Sequence, residues 1–162
     1  MDYLVSLLAS FLAVMVVITL HEFSHAFIAY KCGDPTAKWA GRMTLNPVKH
    51  FDPLGIVMFA LAGFGWAKPV PVDMRYFKKP KQGMALTALA GPVSNFVLAL
   101  LALLCARLVY HQYGALWDFI FDLLLTTAYL SVGLGLFNLI PISPLDGSKV
   151  LFAFLPDSAY EK

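Results

Sequence analysis

The chain has 162 residues, 59% of them hydrophobic and 14% charged, with a formal net charge of +2 and a mean hydropathy of +0.71. Soluble domains run about 45–50% apolar and ~25% charged, so this composition excludes an ordinary soluble domain and indicates a polytopic membrane protein. Two cysteines in unlike settings, Cys32 and Cys105, form neither a metal-ligand pattern nor a disulfide framework, and no nucleic-acid partner is expected.

Residues 3–30 form the first apolar segment. As a helix it reaches roughly 40 Å, enough to cross a bilayer with some tilt. Its start lacks a basic leader and a small-residue cleavage site, so it is expected to be retained rather than removed as a signal peptide. Lys31, Gly33 and Pro35 close it. Residues 36–53 are mixed and partly alternating, which predicts short strands and turns. The apolar run at 54–65 is too short for the ~17–25 residues of a spanning helix and reads as a short or re-entrant element. A basic, proline-rich stretch follows, and residues 84–110 make a second span, interrupted at Gly91-Pro92. A third span covers about 117–140, and residues 148–155 have room for a short helix after a run of prolines.

Charge sets the orientation. Lys31, Lys38, Arg42 and Lys49 lie in one loop, and Lys68, Arg75, Lys78, Lys79 and Lys81 in the next. The connection between the second and third spans has no Lys or Arg. The positive-inside rule puts both basic loops in the cytoplasm. The 54–65 element must then enter and leave from that side, and the chain after residue 140 returns to it.

Within the first span stands His21-Glu22-Phe23-Ser24-His25. Ionisable groups at bilayer depth are unfavourable by at least ~2.5–3.5 kcal/mol each on insertion scales and are functional suspects by default. Residues four apart share a helix face, so both imidazoles can reach one metal ion while Glu22 takes a proton from the metal's water. A catalytic zinc site needs three protein ligands and an open position. By helical rise the histidines lie roughly 9–15 Å from the cytoplasmic end of their span. His111, Asp118 and Asp122 fall at the opposite face and are set aside. Asp146, in "PISPLDG", follows the third span where it regains the cytoplasmic side and is the preferred third ligand, although it also suits a helix-end turn. His50 and Asp52 lie on the right side and remain alternatives.

Asn95 and Asn138 sit at comparable depth. Each either hydrogen-bonds a neighbouring helix or holds a substrate backbone or developing oxyanion.

The series "HEFSH", "GPVSN" and "NLIPISPLDG", in that order on separate apolar segments, resembles the site-2 protease family of intramembrane zinc metalloproteases. The resemblance runs from the first span to about residue 155. It implies a three-helix catalytic core, a Zn2+ ion held by His21, His25 and Asp146, Glu22 as general base, and cleavage of transmembrane substrates near the cytoplasmic side. Asn95 and Asn138 match family positions associated with substrate handling. Gly63 and Gly65 of "GFG", with the following "KPVPV", resemble the family's G-x-G and membrane-associated β-loop. The expectation is one all-α polytopic domain over 1–162, with three transmembrane helices, a short re-entrant element and a small β segment. It resides in the cell membrane and acts on a transmembrane protein or peptide within the bilayer. No room is left for a PDZ-like or other soluble domain. The sequence stops at Lys162, where small family members often continue into a further hydrophobic helix. Two rivals remain: a metal or proton transporter using the same cluster, and a metal-binding pseudoprotease scaffold.

Overall fold

Three rows of buried residues, most of them small and each spaced by four, decide how the helices meet. The first span carries Ala9, Ala13, Val17, His21, His25 and Ala29, all buried. The second carries Gly83, Thr87, Gly91, Asn95 and Ala99, and the third Thr127, Ser131 and Gly135. Such i, i+4 rows form ridges that interdigitate between helices. In lipid, small residues at the contact let backbones approach closely, because hydrocarbon offers no hydrophobic drive to pair helices.

The computed structural model describes residues 3–62 and 65–155. Its helices are α1 (Tyr3–Cys32), α2 (Thr36–Trp39), α3 (Pro53–Ala62), α4 (Pro80–Val109), α5 (Ala115–Asn138) and α6 (Asp146–Phe154). Helices α1, α4 and α5 are each long and apolar enough to span a membrane. Helix α4 lies against both α1 and α5, α1 also contacts α5, and α6 folds back onto α4. The large apolar side chains point outward: Leu4, Leu100, Leu104 and Leu108 are all about half exposed or more. A small-residue interior under a leucine-rich exterior suits lipid and would be an aggregation hazard in water.

The three spans fall within a few residues of their expected bounds, and α6 forms where a short helix was expected. Gly91-Pro92 does not interrupt the second span, since α4 is continuous through the buried Pro92. The β segment is corrected: among the described residues there is no strand, only an isolated antiparallel bridge between Phe51 and Ala67. The reason is local. Asn46 accepts from the Val48 N–H, Asp52 from Leu54 and Gly55, and Asp73 from Arg75. These side chains satisfy the backbone donors that a ladder would have used, and Pro69 and Pro71 offer none. Nor is a re-entrant element seen. Among the described residues the segment forms one ten-residue helix, α3 at Pro53–Ala62, too short to span. Residue Gly55 of α3 packs on the backbone of Trp66 so closely that any Cβ would collide.

Candidate metal centre

The two histidines lie one turn apart on α1, and Asp146 opens α6 on the far side of the chain. Gly147 makes that approach possible, because a Cβ there would run into the Leu139 and Ile140 backbone at the end of α5. The turn before α6 contains a cis Ser143–Pro144 bond. Asp146 lies at the α1–α4 seam. His21 Nε2 stands 3.3 Å and His25 Nε2 3.0 Å from Asp146 Oδ2, and the two Nε2 atoms are 3.0 Å apart. All three residues are buried.

Hydrogen-bond chemistry tests whether this cluster suits a cation. His25 Nδ1 lies 2.7 Å from the Thr87 carbonyl, which can only accept, so Nδ1 carries a proton. In the neutral ring, Nε2 then presents a lone pair to a carboxylate oxygen and to another imidazole nitrogen. Such an arrangement is repulsive unless a proton or a metal cation sits among the three atoms. Tetrahedral ligands at zinc distances of ~2.0–2.1 Å stand about 3.3 Å from one another, and the observed separations are 3.0, 3.0 and 3.3 Å. Nitrogen and carboxylate donors in this number are those of a catalytic zinc site, and the fit is good.

The rings find space because Gly91 of α4 faces them: a Cβ there would collide with His25 Nε2 and lie 2.5 Å from His21 Cε1. Lys149 Nζ lies 3.2 Å from Asp146 Oδ1, holding the oxygen that does not face the histidines. Burial by itself raises the Asp146 carboxyl; when the histidine Nε2 atoms carry protons, their hydrogen bonds and the charges of His25 and Lys149 hold it well below the usual carboxylate range.

The cluster opens on a cavity of about 310 Å³ that Glu22, Val70, Met84, Asn138 and Lys149 also line. Glu22 Oε2 accepts from the Val70 N–H at 3.3 Å. The 69–72 segment thus crosses the cavity with its backbone fixed on Glu22. Arg42 anchors the approach to this segment through the Lys68 carbonyl.

Of the other candidates, Asn95 and Asn138 lie at the cluster or its cavity and the rest do not. Asn95 is fully buried, its Nδ2 3.1 Å from His21 Nδ1. Asn138 lines the cavity while donating to Leu134 O of its own helix. Gly65 lines a separate apolar cavity of about 250 Å³ between α1, α3 and α5, and Gly63 lies outside the described residues. His50 bonds the Thr44 carbonyl and Asp52 caps α3, so neither joins the cluster. His111 meets the Tyr110 ring edge to face beside the α4–α5 connection. Sequence reasoning overlooked Thr87, Gly91 and Lys149; the signal available for the first two was their four-residue spacing with Asn95.

A membrane-embedded helical bundle with a His-His-Asp cluster beside a glutamate defines the class of membrane metalloproteases, and comparison with known proteins agrees. The model of Peptidase family M50 matches residues 9–114 and 105–161. The chain belongs to this family, the site-2 protease family of intramembrane zinc metalloproteases. It is 44% identical to YwhC of Bacillus subtilis, provisionally named a zinc metalloprotease, over 100% of this chain and 73% of that protein. It is 34% identical to the provisionally named zinc metalloprotease Rip2 of Mycolicibacterium smegmatis, over 82% of this chain and 51% of the relative. It is 33% identical to the Regulator of sigma-E protease RseP of Escherichia coli, over 59% of this chain and 24% of the relative. The chain thus spans about half of Rip2 and a quarter of RseP. No solved structure matches.

Proposed function

We propose that this protein hydrolyses peptide bonds in transmembrane segments of membrane proteins, with His21, His25 and Asp146 holding one zinc ion and Glu22 as general base. The observation that carries the reading is the convergence of three buried ligand atoms beside Glu22 on a single cavity. A zinc ion held there supplies Lewis acidity and lowers the pKa of bound water toward ~7.

Glu22 sits one residue from His21 on the cavity wall, where its carboxylate takes a proton from the attacking water and passes it to the leaving amide nitrogen. The Val70 N–H fixes Oε2, and Oε1 is the oxygen this contact does not use. A substrate helix must unwind to present its backbone, and the 69–72 segment beside Glu22 offers an edge along which an extended chain can lie. Asn138 lines the same cavity. The basic loops around Lys38 and Lys78 support a cavity that opens toward the cytoplasmic side of the cell membrane, with the exposed apolar side chains of α3 facing lipid. Residues 1–162 act as one catalytic unit.

The test is cleavage of a panel of tagged single-pass membrane peptides in liposomes by wild type and Glu22→Gln. The expected result is a loss of ~10²–10⁴-fold with zinc content unchanged. Equal cleavage by the variant overturns the base assignment. Zinc flux across sealed vesicles without cleavage favours the transporter reading, and zinc binding with neither favours a scaffold.

A further inference from the structure

The least explained group in the α1–α4 seam is Asn95. It is fully buried, its Nδ2 lies 3.1 Å from His21 Nδ1, and its Oδ1 has no hydrogen-bond partner. An amide looks the same in outline when turned by 180° about its last torsion, so which end meets the ring is decided by chemistry.

With Nδ2 donating, His21 Nδ1 must offer a lone pair, and the neutral ring then carries its proton on Nε2. That atom faces His25 Nε2 and Asp146 Oδ2. A protonated Nε2 cannot ligate a metal. With the amide turned, Oδ1 accepts from Nδ1–H and the Nε2 lone pair points into the cluster. The turn moves Nδ2 to the wall that the oxygen had faced. The buried carbonyl oxygen gains a donor while the NH2 takes its place at the wall, so the hydrogen-bond count is unchanged and the lone pair that a metal needs on Nε2 decides the orientation.

His25 supplies the parallel. Its Nδ1–H is held by the Thr87 carbonyl at 2.7 Å. Thr87, Gly91 and Asn95 follow one another at spacings of four on α4, opposite His21 and His25 at the same spacing on α1. One acceptor thus meets each ring, with the bare Gly91 between them.

We infer that Asn95 is a positioning residue for the metal centre: its Oδ1 accepts from His21 Nδ1–H and fixes the tautomer in which Nε2 can bind zinc. The inference rests on the zinc-site reading above and replaces substrate handling as the role of this asparagine. Partners of this kind on ligating histidines are worth 10–100-fold in metal affinity.

The test measures zinc affinity of the full chain in detergent by competition with a chromophoric chelator, and the visible absorption of the Co2+ form. Aspartate retains the acceptor and lacks the NH2, whereas leucine retains approximate volume and lacks both. Asn95→Leu is expected to weaken zinc binding by ~10–100-fold and alter the Co2+ spectrum, while Asn95→Asp binds at least as tightly as wild type. Wild-type affinity in Asn95→Leu, or equal weakening in both variants, overturns the proposal. If the variants fail to fold, 15N spectra of histidine-labelled wild type loaded with zinc decide it: a protonated Nδ1 on His21 supports the role, and a protonated Nε2 overturns it. Failure of the underlying reading looks different, because wild-type zinc binding would then be absent or unaffected by His21→Ala.

Discussion

Helix α4 makes two seams that use small residues for different ends. Toward α5 its later half brings Ala99 and Ala102 against Ala128, with Leu124 packed beside them, in an apolar contact. Toward α1 its earlier half brings Thr87, Gly91 and Asn95 against two histidines and a carboxylate. Close approach in the first seam gains dispersion contacts between helices. In the second it creates room for two imidazoles and places acceptors behind them. Substitutions in the two seams should therefore separate stability from metal binding.

The largest effect is expected at the ligands. Asp146→Ala or His25→Ala should reduce zinc from about one ion per chain to near none and abolish cleavage, read by metal analysis of the purified protein. Retention of zinc in both would show that other groups hold it. A metal bound only by the folded state stabilises it by about 2.7 kcal/mol at a hundredfold excess over Kd. Added zinc should thus raise the thermal midpoint of wild type and leave that of Asp146→Ala unmoved.

A comparison of two helical glycines comes next. Gly91→Ala drives a methyl into both rings, whereas Gly133 on α5 has nothing within 4 Å of the added carbon. Gly91→Ala should lower zinc affinity by at least ~10-fold, through displacement of ligands that an outer contact alone holds to that degree. Gly133→Ala should leave zinc affinity unchanged and add up to ~1 kcal/mol of helix propensity. Equal behaviour of the two would break the contrast between the seams.

How much of this was legible follows from where the information lies. His21, Glu22 and His25 were readable because their geometry is local, three groups within five residues of one helix. Asp146 required topology, which the basic loops supplied. Gly91 was read as an interruption because its value lies in the register between α1 and α4, and a pattern within one segment does not give that register. Yet the spacing of Ala9, Ala13, Val17, His21, His25 and Ala29 was visible, and set beside 83, 87, 91, 95 and 99 it pairs the helices. The strands were misread because alternation in 36–53 was weighed without the competing Asx side chains at Asn46 and Asp52.

The apolar seam gives a smaller and differently read effect. Ala102 is 4% exposed within the Ala99–Ala128 contact. Ala102→Leu forces extra methylenes between helices at a loss of about 1–3 kcal/mol. The expected outcome is a lower thermal midpoint with zinc affinity within twofold of wild type. A matching fall in affinity would mean that the seams are mechanically coupled.

The smallest effect is expected at Lys149, where two influences oppose one another. Its Nζ steadies Asp146 Oδ1 at 3.2 Å, so loss of the amine frees the carboxylate to rotate. The same ammonium is a like charge beside a dication, so its loss also relieves repulsion. The Lys149 side chain is 46% exposed while that of Asp146 is 9% exposed, which places the pair at the water-accessible edge of the site. Exposed pairs are worth ~0.2–1 kcal/mol, and solvent screens the repulsion as well. Lys149→Met should therefore change zinc affinity by less than ~5-fold, with a diminished response to added salt. A loss above tenfold would place Lys149 with Gly91 and Asn95 among the groups that hold the metal centre in shape.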